Sequence, residues 1–101
     1  MQTVTHESDG KISIALSGRF DFNANRAFKS AYEAPLKATN VKELEIELSE
    51  VEGMDSSALG MLLMLREKAA AVNKSVSLAN SRGVVKQVLD IANFAKLFRI
   101  T

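Results

Sequence analysis

Residues 43–65 read ELEIELSEVEGMDSSALGMLLML, and the change of period inside this stretch decides the fold. Leu44, Ile46 and Leu48 alternate with Glu43, Glu45 and Glu47, the two-residue period of a strand with one covered face. From Ala58 onward the apolar residues return at three- and four-residue steps: Ala58, Leu62, Leu65, Ala69 and Val72. This is helical spacing, and it predicts a helix over residues 56–73 with Leu59, Leu63 and Ala70 widening its buried stripe. Residues 49–54 are predicted as the loop between them. Asp55, Ser56 and Ser57 therefore fall where a helix begins. Backbone N–H groups are unpaired there and carry a partial positive charge. A serine in that place is a plain cap or a group positioned to carry a phosphate.

Working outward, Asp9-Gly10 is a two-residue hairpin signal. It separates a strand over residues 3–8 from a strand over residues 11–17, in which Ile12, Ile14 and Leu16 share a face and which Gly18 ends. Residues 21–25 form a polar approach to a helix capped by Asn23 or Asn25. Ala27, Phe28, Ala31, Tyr32 and Leu36 then follow at helical spacing, with a break expected near Glu33 to Pro35, because proline removes a helical hydrogen bond. A short strand is predicted over residues 75–79. A helix capped by Asn80 or Ser81 follows, with Val84, Val85, Val88, Leu89 and Ala92 inward and Asn93 at its end. Leu97, Phe98 and Ile100 close the chain as a short strand or packed tail.

The predicted order is β-β-α-β-α-β-α-(β). It implies an α/β fold: a mixed β-sheet of about four to five strands with helices packed mainly on one face. At 101 residues the chain suits one domain, residues 1–101. Thirteen basic residues against 12 acidic ones leave a net charge of +1, so no basic field draws the chain to nucleic acid. The N-terminal ten residues lack an apolar signal core, and no stretch is long and apolar enough to span a bilayer. Absence of cysteine removes disulfides, thiolate metal sites and thiol chemistry. These features predict a cytoplasmic protein.

Enzymatic chemistry finds little support. His6 is the only histidine and lies in an alternating strand, with nothing in its spacing linking it to Ser56. Glu45, Glu47, Glu50 and Glu52 read as the wet side of a strand and its loop rather than a metal cluster. The five glycines complete no phosphate-binding pattern. Neither metal nor cofactor is expected. Helical projection groups Ser57, Gly60, Met64, Lys68 and Ala71 opposite the buried stripe, with Met61 on the flank. An exposed methionine among small residues makes an adaptable contact surface, so Ser57, Gly60, Met61, Met64 and Lys68 are the candidate partner-binding residues.

The string Met54-Asp55-Ser56-Ser57-Ala58-Leu59-Gly60 resembles the Asp-Ser-(Ser/Thr)-Gly-Leu-Gly signature of STAS domains of the anti-sigma factor antagonist family. Gly18-Arg19-Phe20-Asp21 resembles the family's Gly-x-(Leu/Phe/Ile)-Asp segment, residues 80–91 its third helix, and residues 94–100 its closing segment. The resemblance implies partner switching. The unphosphorylated chain would bind an anti-sigma factor or serine-kinase regulator, the kinase would phosphorylate Ser56, and a PP2C-type phosphatase would remove the phosphate. It makes Asp55 and Ser57 the supporting residues of the motif. It also implies a protein that is not an enzyme, and a monomer or weak homodimer without nucleic-acid or membrane partners. Other expectations compatible with the resemblance are a module sensing a nucleotide or lipid, and control of a non-sigma output such as biofilm formation or motility. Two departures stand out. Ala58 replaces the signature glycine, which a helical position tolerates. The chain stops at Thr101, where many relatives carry a further helix, and this predicts exposed surface near Phe98 and Ile100.

Overall fold

The computed structural model describes residues 1–101. Strand β1 (Gln2–Ser8) turns at Asp9-Gly10 into β2 (Lys11–Phe20). A 3-10 turn (Phe22–Ala24) leads into helix α1 (Asn25–Lys37), followed by β3 (Glu43–Met54), α2 (Ser56–Ala71), β4 (Ser75–Ala79), α3 (Gly83–Ile91), a second 3-10 turn (Phe94–Lys96) and β5 (Arg99–Ile100). The sheet has five strands in the order β1-β2-β3-β4-β5. β1 is antiparallel to β2, and every later pair is parallel. Because β2 to β5 lie side by side in chain order, three right-handed crossovers in one direction place all three helices on the same face. The expected mixed sheet with helices on one side is the one observed.

The two faces of the sheet divide the chemistry as the alternation requires. Ile12, Ile14 and Leu16 of β2 and Leu44, Ile46 and Leu48 of β3 are buried under the helices in a core of 23 residues. Their neighbours face the other way and satisfy one another. Ser13 donates to Glu45 (3.0 Å), Ser77 to Glu43 (2.7 Å), and Lys11 pairs with Glu45 (3.4 Å). From the helix side, Phe28 and Tyr32 of α1, Leu62 and Leu65 of α2, and Val85 and Leu89 of α3 complete the core. Phe28 lies 5.0 Å from Phe20 and 5.2 Å from Tyr32, centroid to centroid.

Several local expectations are corrected. β2 does not stop at Gly18. It continues to Phe20 through a register shift at which Gly18 adopts φ +91°, a conformation open to glycine. β3 likewise absorbs the predicted loop and runs to Met54. Neither Asn23 nor Asn25 caps α1. Asp21 caps the preceding 3-10 turn through the Asn23 amide (3.0 Å), and α1 starts without a side-chain cap. Pro35 does not break α1, because it lies in the last turn and forfeits a single hydrogen bond just before the helix ends at Lys37. Helix α2 ends at Ala71, which leaves Val72 exposed beyond it, and Leu63 and Ala70 lie on the outer side of the helix instead of widening the buried stripe. Helix α3 begins at Gly83 and is capped by neither Asn80 nor Ser81, which leaves Val84 outside the core. Phe98 is buried, stacked on Phe94 at 5.2 Å, so the chain end does not expose it.

Candidate functional site

Parallel strands that end side by side gather their following loops at one end of the sheet. In open α/β sheets the carboxyl ends of the strands are the usual place for functional residues, although strands in sequential order leave no switch-point crevice here. Here the loops are 21–24 after β2, residue 55 after β3, and 80–82 after β4. The Asp55 amide donates to the Phe20 carbonyl (3.4 Å), locking the end of β2 to the start of α2. The 3-10 turn after β2 packs against α2. The Arg82 guanidinium reaches back to the Ser49 carbonyl (3.1 Å), tying the third loop to β3.

Asp55 is the N-cap of α2. Its backbone is extended (φ −120°, ψ −173°), and its Oδ1 accepts from the Ser57 amide (2.9 Å) and the Ala58 amide (3.2 Å). Its carbonyl accepts from Ala58 (3.1 Å) and Leu59 (3.4 Å). Ser56 is therefore not the cap: it is the first residue of the helix, with its side chain exposed. Ser57 is half-buried beside it. Ala58 is fully buried within the helix, where a Cβ is accommodated and the signature glycine is not needed. Asp55 already holds the Ser57, Ala58 and Leu59 amides of the first turn, so a group attached to the exposed Ser56 finds three of the four helix-end donors taken.

Behind Ser56 the surface of α2 is apolar beyond what the core requires. Residues three, four and seven apart share a helix face, so Ser56, Gly60 and Leu63 form one line and Ser57, Met61, Met64 and Lys68 the next. Met64 is 49% exposed and Leu63 is 36% exposed, while Gly60 is open on the surface. Met61 is half-buried and packs against the core. Lys68 leans towards α1, its ammonium 5.6 Å from the Tyr32 ring centroid, so it borders the surface rather than crowning it. Phe22 was missed by sequence reasoning. It is 73% exposed, on the 3-10 turn that packs against α2. Its signal was present: an aromatic residue isolated among Asp21, Asn23 and Asn25, in phase with no buried stripe.

His6 lies exposed on β1, two strands away from β3, whose end carries Asp55 and Ser56. The largest surface cleft, about 450 Å³, is lined by Leu36, Val41, Val72 and Lys74 at the opposite end of the parallel strands. No helix is long and apolar enough to cross a membrane.

The family model described as "Mlab, STAS domain" matches residues 4–99. A STAS-domain containing protein of Pseudomonas aeruginosa (strain UCBPP-PA14) is 41% identical over 100 residues, covering 98% of this chain and 97% of that protein. Among solved structures, an anti-sigma factor antagonist from Mycobacterium paratuberculosis superposes with a TM-score of 0.85 at 22% identity, over 98% of this chain and 83% of the other. The anti-sigma factor antagonist SpoIIAA in its unphosphorylated form gives 0.74 at 18% identity, over 99% and 87%. The Bacillus cell fate determinant SpoIIAA in its phosphorylated form gives 0.73 at 17%, over 99% and 91%. The structural likenesses establish a shared fold.

Proposed function

The chain belongs to the STAS-domain family, and on that footing we propose that it is an anti-sigma factor antagonist of the partner-switching kind, controlled by phosphorylation of Ser56. The observation that carries this reading is the surface around Ser56. An exposed residue at the first position of α2 stands in line with Gly60 and Leu63, on a helix that also exposes Met64 and against which the turn bearing the exposed Phe22 packs. A structural neighbour known both without and with phosphate supports the choice of switch.

The unmodified surface binds a regulator, an anti-sigma factor or serine kinase, through Ser57, Gly60, Met61 and Met64 with Lys68 at the border. The kinase transfers the γ-phosphoryl group of ATP to the Ser56 hydroxyl, and ADP leaves with the old bridging oxygen. A PP2C-type phosphatase hydrolyses the ester with one water, which returns the serine hydroxyl and releases inorganic phosphate. Asp55 holds the helix start, and Ser57 supports the motif beside it. Phosphate brings a charge of about −1.5 to −2 at pH 7. Asp55 already occupies the Ser57, Ala58 and Leu59 amides, so only the Ser56 amide is left to meet the dianion and most of its charge goes unpaired. Burying it in an interface of about 800 Å² per partner costs several kcal/mol. A loss of about 4 kcal/mol weakens affinity roughly a thousandfold. The chain itself supplies no catalytic group in this scheme.

The test is phosphate mapping by mass spectrometry on the protein purified from its own cells, combined with affinity capture by Ser56→Ala and Ser56→Asp. The expected result is phosphate on Ser56 and a regulator retained by the alanine variant and lost by the aspartate variant. Equal retention by both variants would exclude the switch.

A further inference from the structure

The two edges of the sheet are treated differently. β5 is two residues long and is flanked by backbone bonds from the Thr101 amide to Leu78 and from the Asn80 amide to Thr101 (2.9 and 3.1 Å), which leave little edge to extend. β1 is seven residues long and pairs with β2 without a register shift. It lacks three of the usual protections of an edge strand, having no proline, lysine or bulge, and helix α1 packs against it from the core face only. Its first half, Thr3-Val4-Thr5, is β-branched throughout, and Val4 is 69% exposed.

The hairpin geometry fixes which backbone groups are free. Asp9 (φ +45°) and Gly10 (φ +79°) form a two-residue turn with both central residues left-handed. In such a hairpin the flanking pair, Ser8 and Lys11, exchanges both of its hydrogen bonds, and the pattern alternates from there. Gln2, Val4, His6 and Ser8 thus point their N–H and C=O groups at β2. Thr3, Thr5 and Glu7 point theirs outward, and none of these finds a backbone partner within the chain.

We infer that this edge pairs with the β1 edge of a second copy, antiparallel and two-fold symmetric about Thr5. The register is self-complementary. Thr5 meets Thr5, Thr3 meets Glu7, and Val4 meets His6, so each outward N–H and C=O gains a partner and no like charges face each other. A two-fold axis through Thr5 perpendicular to the sheet joins two sheets into ten continuous strands with all six helices on one side. The two Ser56 loops then lie at opposite ends, both open, so pairing and docking at Ser56 are independent. Edge pairing alone buries less than the roughly 1,200 Å² of a stable complex, which makes this a weak, concentration-dependent dimer.

Analytical ultracentrifugation of the full chain over a concentration series, with amide hydrogen exchange, tests the pairing. The expected result is reversible dimerisation that slows exchange at Thr3, Thr5 and Glu7 selectively. Thr5→Pro removes only an outward N–H, which an edge strand tolerates, and should weaken association by about tenfold or more. Should that variant misfold, the exchange pattern of the unaltered protein decides. A chain that stays monomeric at high concentration, an association that Thr5→Pro leaves intact, or protection falling elsewhere would overturn the inference. None of these outcomes bears on Ser56, whose regulator binding is measured separately.

Discussion

The ammonium of Lys74 lies 2.9 Å from the Pro35 carbonyl oxygen, and it donates as well to the carbonyls of Leu36 (2.8 Å) and Ala38 (2.6 Å). One side chain from the α2–β4 connection thus closes the C-terminal turn of α1. A cation there also complements the helix dipole. It gathers carbonyls at the end of the helix, where intrahelical amide partners run out, and shares that of Pro35 with the Ala38 amide (3.3 Å). Lys74→Met keeps the apolar stem and removes the donors. The expected loss is about 2 kcal/mol, as for hydrogen bonds to a charged group, and a fall in Tm of about 10 °C for a chain of this size. Thermal unfolding followed by circular dichroism checks it; an unchanged Tm would mean that water serves those carbonyls equally well.

Asp55, not Ser56, carries the cap of α2. Asp55→Ala frees the Ser57 and Ala58 amides and should cost about 1 kcal/mol. Asp55→Asn retains an accepting oxygen and should cost only a fraction of that. Urea unfolding of the two variants measures the difference. Equal losses would indicate that the carboxylate charge, not the cap hydrogen bonds, stabilises the helix start.

Gly60 offers an opposed pair of outcomes. A Cβ at this position meets nothing within 4 Å. Gly60→Ala should therefore stabilise the chain by about 1 kcal/mol through helix propensity. If the regulator packs on this line, the same methyl group reduces its affinity. Stability rising while binding falls is the expected result, read by unfolding and by calorimetric titration of the captured regulator.

Phe22 should behave as an anchor. Because the ring is mostly exposed, Phe22→Ala is expected to shift stability by less than about 0.5 kcal/mol. Exposed aromatic residues in docking surfaces often lose 2 kcal/mol or more of binding on truncation, about a thirtyfold drop in affinity. Unaltered regulator binding would remove Phe22 from the surface.

The element order was legible because β3 and α2 announce their periods plainly, and β4 was placed to the residue. The ends of the long strands were not, for one physical reason. Ala15 pairs with Glu47 but Ser17 pairs with Glu50, and Gly18 pairs with Val51 but Arg19 with Gly53. At each shift β3 spends one more residue than β2. A two-residue period cannot survive such an insertion, so the alternation looks finished at Leu48 while the strand continues to Met54. The caps failed differently. Asn23, Asn25, Asn80 and Ser81 are all good cap residues, but the choice among polar neighbours depends on where the preceding strand releases the chain. The Asp55-Ser56-Ser57 start was found because a single polar cluster stands between unambiguous elements. Phe22 stood out of phase with every buried stripe, but that it lies on a turn packed against α2 is defined only by the folded chain.

A sheet whose strands lie in the order of the sequence can be assembled by accretion as the chain leaves the ribosome. No strand has to be inserted between two that are already paired. The β1–β2 hairpin needs only the first 20 residues, and β3 and β4 then add in turn to an edge already present. Each new edge stays open until the next helix has been made, and that of β4 stays open until Arg99 and Ile100 arrive. Arg99 and Ile100 thus end the sheet's growth on this side, and a chain cut before Phe94 would carry an unclosed strand into a crowded cell, where unpaired edges promote aggregation.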